Sequence, residues 1–343
     1  MGKYSLENYE RYKTIKIRPE ESAQEPHHLR CGEFTSVPCR LSGEIPALSG
    51  GTTLLRVIDD MPNGALPLKA DALSRLGAAR ADDPGLIGVT FATSEPAPCL
   101  RLLLAKVCDA FRPRRLFVSV TEAALIRQLM ADGLPFGLLA DIERHPYDVC
   151  EAFAEGGFQK LWQRVPVLVC GATDEYAAYA RGWHALAGEG GGNGLGWRVA
   201  LRRLTYPAAV CSAGYAPMRF WWANCGSSPC YEQLTPRLRL RVGERLVPLM
   251  LHDSPARFEV GDRTYNEIIR LPELPQGVWP LECVLTDASG LPVALAQTGR
   301  LPDGWYGVGA MTIDGQPHSG LADAWDGYYP EGYYPLEDPA QPE

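Results

Sequence analysis

The stretch Arg219-Phe-Trp-Trp-Ala-Asn-Cys-Gly-Ser-Ser-Pro-Cys-Tyr231 divides this chain into two kinds of sequence. Adjacent tryptophans, an Asn-x-Gly turn and a Pro-x-Tyr exit read as a buried strand running into a sharp loop. Before it, apolar runs alternate with helical patterns. After it, short strand-like runs follow one another closely. Trp221 and Trp222 fall on opposite faces of one strand, so at most one is expected in a sheet core, and the other packs against the neighbouring domain or binds a ligand.

Upstream, Thr53–Ile58, Leu86–Phe91, Leu116–Val120, Phe136–Ala140, Val165–Val169 and Trp197–Leu201 read as strands. Helix-like segments lie between them. Leu100, Leu103, Leu104, Val107 and Phe111 recur at helical spacing and give one apolar face. Such alternation implies a parallel sheet covered by helices, and doubly wound and barrel folds both fit it. The region is short beside the ~250 residues of a full eightfold barrel, so a shortened or degenerate (β/α) TIM-type barrel is the first choice. Downstream, Arg237-Leu-Arg-Leu-Arg-Val242 alternates, with the leucines expected inward and the arginines outward. Val242–Arg245 reads as a hairpin turn. Strands at this spacing predict an antiparallel Ig-like β-sandwich.

The resulting organisation is a polar segment over 1–26, a barrel over 27–210, a sandwich over 211–316 and a Tyr/Pro/acid-rich tail over 317–343. At 343 residues, 46% hydrophobic and 22% charged, the chain has the composition of a globular protein with real cores. A net charge of −8 lacks the basic footprint of a nucleic-acid binder. No apolar run approaches the ~18 residues of a membrane span, and no secretory h-region is visible, so a cytoplasmic location is expected. The 10 cysteines form no Cys-x-x-Cys pair, and the 6 histidines have no zinc spacing. Neither glycine-rich stretch carries a phosphate-binding motif. No metal and no cofactor is expected.

Trp222-Ala-Asn-Cys-Gly-Ser-Ser-Pro-Cys-Tyr231, with the alternating strands after it and Asp303-Gly-Trp-Tyr-Gly307, resembles a bacterial family of unknown function. That family pairs a glycosidase-like (β/α) barrel with a C-terminal β-sandwich. Gly133–Asp141 and Leu161–Val169 look like its later barrel strands. The resemblance implies a carbohydrate-related ancestry and a saccharide ligand. Cys170 stands where related barrels look as though they carry an acid, and Leu139 where they look as though they carry Arg.

Barrel sites lie at the C-terminal ends of the strands, and glycoside hydrolysis needs two carboxyl groups. Glu95 is the best acid candidate, with Asp141 or Asp174 as its partner. Asp59, Asp60 and Glu122 follow other strands and are candidate substrate contacts. Trp183 and Tyr206 are candidate sugar-stacking aromatics, beside Trp197, Trp305 and Tyr306. A non-catalytic relative binding a saccharide or another macromolecule is the alternative.

Overall fold

The computed structural model describes residues 12–17, 32–48, 51–83, 85–142, 145–171, 176–189, 194–252 and 257–318. The chain divides into two compact units. One gathers β1 (Tyr12–Lys16) and the strands from 199 onward; the other holds residues 32–198 and, in addition, the loop 224–231. The opening stretch therefore ends one strand and continues as a loop of the other unit.

In the second unit, β2 (Gly32–Arg40), β3 (Thr53–Ile58), β4 (Leu86–Ala92), β5 (Arg115–Ser119), β6 (Phe136–Asp141), β7 (Val167–Cys170) and β8 (Ala187–Glu189) close an all-parallel barrel. Among the described residues five α-helices accompany it: α1 (Leu66–Arg80), α2 (Ala97–Ala110), α3 (Ala123–Ala131), α4 (Pro146–Glu155) and α5 (Ala177–Gly182). This corrects the TIM-type expectation. The barrel has seven strands, the β2–β3 connection carries no helix among the described residues, and α5 is only six residues long. The run at Trp197–Leu201 supplies no barrel strand. Closure falls instead to the three residues of β8, which pair with β2 at Gly32↔Ala187 and Phe34↔Glu189.

The helices start where the sequence sets their backbone: α1, α2 and α4 each carry Pro in the first turn, where its missing N–H is not needed. The predicted α2 stripe buries Leu103, Leu104 and Val107. Alternation along the strands then sorts the two faces. Val37, Cys39, Leu55, Val57, Val89, Leu116, Val118, Leu138, Ala140, Val167 and Val169 belong to the core shared with the helices. Their neighbours point into the barrel. Low in the interior, the Phe117 ring fills the space between Gly88 and Gly137, where an added Cβ would come within 2.4 Å of it. Those two glycines, on the strands either side of β5, make room for one aromatic plug. Among the described residues no helix is long and apolar enough to cross a membrane.

In the other unit, β1, β9 (Val199–Pro207), β11 (Tyr215–Asn224) and β14 (Gly261–Arg270) form a four-stranded sheet in the order β1-β9-β11-β14. The six-stranded sheet runs β10 (Ala209–Cys211), β17 (Tyr306–Asp314), β15 (Gly277–Thr286), β12 (Thr235–Val242), β13 (Arg245–Leu249), with β16 (Pro292–Val293) on β15. This corrects the antiparallel Ig-like expectation too. β10 joins β17 in parallel, and the first sheet takes an edge strand from the N-terminal segment, β1 on β9. The β12–β13 hairpin turns at Val242↔Arg245, where the sequence places it. Arg239 departs from its expected outward setting. It is buried, bonded to Glu282 at 2.6 Å and Asp303 at 2.5 Å, with Trp305 stacked on its guanidinium.

Candidate functional site at the barrel mouth

Above the Phe117 plug the inward positions turn polar. Parallel register carries one face from strand to strand: Asp141 on β6 pairs with Cys170 on β7, and Cys170 with Glu189 on β8. Arg56 on β3 and Ser36 on β2 lie on the same inner face, since their neighbours Leu55, Val57 and Val37 face the helices. Asp141, Cys170 and Glu189 end their strands, at the functional end of parallel barrels, while Ser36 and Arg56 sit within β2 and β3.

Glu189 anchors this layer. Its Oε1 accepts from the Ser36 backbone N–H at 2.8 Å and its Oε2 from Arg56 Nη2 at 2.9 Å. The Ser36 hydroxyl lies beside the carboxylate without a well-directed hydrogen bond. Burial alone would raise the Glu189 pKa; the Ser36 and Cys170 hydrogen bonds and the Arg56 charge outweigh it and hold the carboxylate below the ordinary range. Arg56 Nη2 also lies 3.3 Å from the Cys170 sulfur. The thiol is pushed far up, first by burial and then by the Glu189 hydrogen bond and charge, with Asp141 adding to it. Burial and the Glu189 carboxylate, opposed by the Arg56 charge, thus disfavour the thiolate that a cysteine nucleophile needs.

A second cluster occupies the ends of β3 and β4. Lys69 of α1 donates to Asp59 at 2.7 Å and to Glu95 at 2.6 Å, with the lysine side chain 0% exposed and each carboxylate 1%. Thr93 donates to Asp59 at 2.5 Å, and the backbone N–H groups of Met61 and Gly64 bind Asp59 and Glu95. Burial would lower the Lys69 pKa, but hydrogen bonds and charges from both acids hold it above its ordinary value. The Lys69 and Gly64 hydrogen bonds hold Glu95 below the usual carboxylate range. Glu95 Oε2 is buried with no hydrogen bond.

The sequence-predicted residues therefore fall into several places. Glu95 and Asp59 come together, joined by Lys69. Asp141 stands in the inner layer with Glu189. Asp60 turns aside to Ser42, whose N–H and Oγ it accepts at 2.9 and 2.6 Å. Glu122 is exposed at the start of α3. Trp183 stacks on Phe153 at 4.6 Å in the helix layer. Tyr206 is wholly buried on β9 in the other unit, its hydroxyl bonded to Ala310 at 3.1 Å. Asp174 lies outside the described residues.

Arg56, Lys69 and Glu189 were not singled out from the sequence. The signal for Arg56 was available: a lone cation inside the apolar run Thr53-Leu-Leu-Arg-Val-Ile58 needs a partner. Among the described residues no group of three or more metal-ligating side chains is placed to hold an ion.

No family model matches the chain, and no curated protein matches it. Among solved structures it is similar to a Niemann-Pick type C2 protein from Japanese carpenter ant, at 5% identity and TM-score 0.21, over 31% of this chain and 79% of that one. It is also similar to a β-glucosidase from Listeria innocua in complex with glucose, at 9% identity and TM-score 0.26, over 89% of this chain and 48% of that one. A third is β-glucosidase 3B from Thermotoga neapolitana, at 9% identity and TM-score 0.21, over 86% of this chain and 52% of that one. The chain thus spans about half the length of the two glucosidases. At these TM-scores the likeness is distant and carries no argument.

Proposed function

We propose that the barrel is carbohydrate-active and hydrolyses a glycosidic bond at its mouth, with Asp141 and Glu189 as the carboxyl pair. The observation that carries this reading is the inward register Asp141–Cys170–Glu189, two acids separated by one strand. Adjacent strands lie about 4.8 Å apart, which puts the two backbones about 10 Å apart. Side chains converging into a barrel bring the carboxyl groups toward the ~6.5–9.5 Å of an inverting pair.

Glu189, held ionised, activates water; Asp141 delivers the proton to the departing oxygen. Water adds its hydroxyl to the anomeric carbon, its remaining proton passes to Glu189, and the glycosidic C–O bond breaks with the departing oxygen taking the Asp141 proton. Arg56 and the Ser36 N–H orient Glu189. The Glu95–Lys69–Asp59 cluster is covered, and it fixes the loops that frame the mouth.

One observation favours binding without turnover instead: both Glu189 oxygens are already engaged. Assay of aryl glycosides of several sugars with wild type, Asp141→Asn and Glu189→Gln tests the proposal. Turnover lost in both variants supports it. Saccharide binding with no turnover by the wild type supports the second reading.

A further inference from the structure

The carboxyl pair occupies one side of the mouth; the side formed by β2 and β3 carries arginines. Arg40 pairs with Ile58 and Arg56 with Pro38 in the β2–β3 register. Cys39 and Leu41 belong to the helix-facing core, so Arg40 shares the inward face with Arg56. The two residues are diagonal neighbours on adjacent strands, with backbones roughly 8 Å apart. β3 is separated from β6 by two strands one way round and three the other. Arg56 and Asp141 thus stand on opposing walls.

The two cations differ in how far they are satisfied. Glu189 neutralises Arg56 at Nη2, yet Arg56 Nε is buried with no acceptor. Arg40 is exposed at the rim, and no hydrogen bond or ion pair engages its side chain among the described residues. Asp60 feels its charge, but the direct bonds of Asp60 go to Ser42. A neutral sugar seated across the mouth would leave Arg40 without a direct counter-charge and Arg56 Nε without an acceptor. An oxyanion on the sugar would supply one, with charge-assisted hydrogen bonds to a planar fork.

Resting on the saccharide reading above, we infer that Arg40 and Arg56 form a subsite for an oxyanion carried by the substrate, a uronic-acid carboxylate or an ester sulfate. Arg40 is the specificity-determining residue, and it takes no part in the chemistry.

Calorimetric titration with sodium D-glucuronate, D-galacturonate, D-glucose 6-sulfate, D-glucose and D-galactose tests this without turnover. The expected result is binding of an anionic sugar about tenfold tighter than its neutral counterpart. That preference should weaken as salt rises, vanish in Arg40→Gln, and persist in Arg40→Lys with neutral sugars bound as before. A preference for the sulfate over both uronates supports the subsite and names sulfate as its anion. Equal binding of charged and neutral sugars, or a preference that survives Arg40→Gln, overturns it. Aryl glucosides hydrolysed as fast as aryl glucuronides overturn the subsite and leave the carboxyl pair standing. Uronate bound by the wild type without any hydrolysis does the reverse.

Discussion

Arg56 and Glu189 meet at 2.9 Å across β2, the strand that separates them, so one ion pair ties together three strands at the closure of the barrel. Both side chains are 28% exposed. Replacing Arg56 with Met leaves Glu189 with the Ser36 N–H and the Cys170 thiol but without a cation, in a half-buried setting. The expected cost is about 1–3 kcal/mol, read from denaturant midpoints. An unchanged midpoint in Arg56→Met would show that the pair adds nothing to closure.

The same carboxylate governs Cys170. Its hydrogen bond and charge add to burial in keeping that thiol protonated, so Glu189→Gln should lower the thiol pKa. Alkylation by iodoacetamide at mildly alkaline pH, followed by peptide mass spectrometry, is expected to modify exposed Cys150 and Cys225 first in both proteins. Cys170 should react several-fold faster in the variant than in the wild type. Equal rates at Cys170 would separate the thiol from Glu189.

The Phe117 plug makes a packing prediction. Gly137→Ala places a methyl group 2.4 Å from the ring, an overpacking expected to cost about 1–3 kcal/mol. Phe117→Leu alone leaves a void, yet combined with Gly137→Ala it should recover part of the loss. Additive losses in the double variant would mean that ring and glycine do not share the space.

Lys69 carries the sharpest stability expectation. Lys69→Met leaves Asp59 and Glu95 buried without a cation, and the melting temperature should fall by on the order of 10 °C. The pH dependence has two limbs. Glu95 and Glu189 have depressed folded pKa values, so the stability they contribute is present above their unfolded values near ~4.3 and is lost as pH falls through the folded ones. Lys69 has a raised folded pKa, so its contribution is complete below ~10.4 and is lost as pH rises through the folded value. Melting curves from pH 3 to 11 should fall at both ends, and the alkaline fall should be shallower in Lys69→Met.

How much of this was legible in the sequence follows the strength of local signals. Strands β3, β4, β5 and β6 announce themselves as β-rich apolar runs, and α2 by its leucine stripe. β8 does not: Ala187-Gly-Glu189 has no β-propensity, and only its pairing with β2 and β7 makes it a strand. The glycines beside it read as a hinge and hid Glu189. Asp141 was singled out because it ends a clear strand. Lys69 carried no signal, because the acids that bury it come from two other elements. Arg239 was placed outward by alternation, which cannot foresee Glu282 and Asp303 closing over it.

The central claim is that Asp141 and Glu189 act as one carboxyl pair. Steady-state hydrolysis of aryl glycosides, neutral and uronic, by wild type, Asp141→Asn, Glu189→Gln and Glu95→Gln tests it most directly. The account predicts measurable wild-type turnover, kcat/KM reduced about 10²–10⁴-fold in each of the first two variants, and activity per folded molecule retained in Glu95→Gln. Turnover that survives Asp141→Asn and Glu189→Gln but is lost in Glu95→Gln would contradict it.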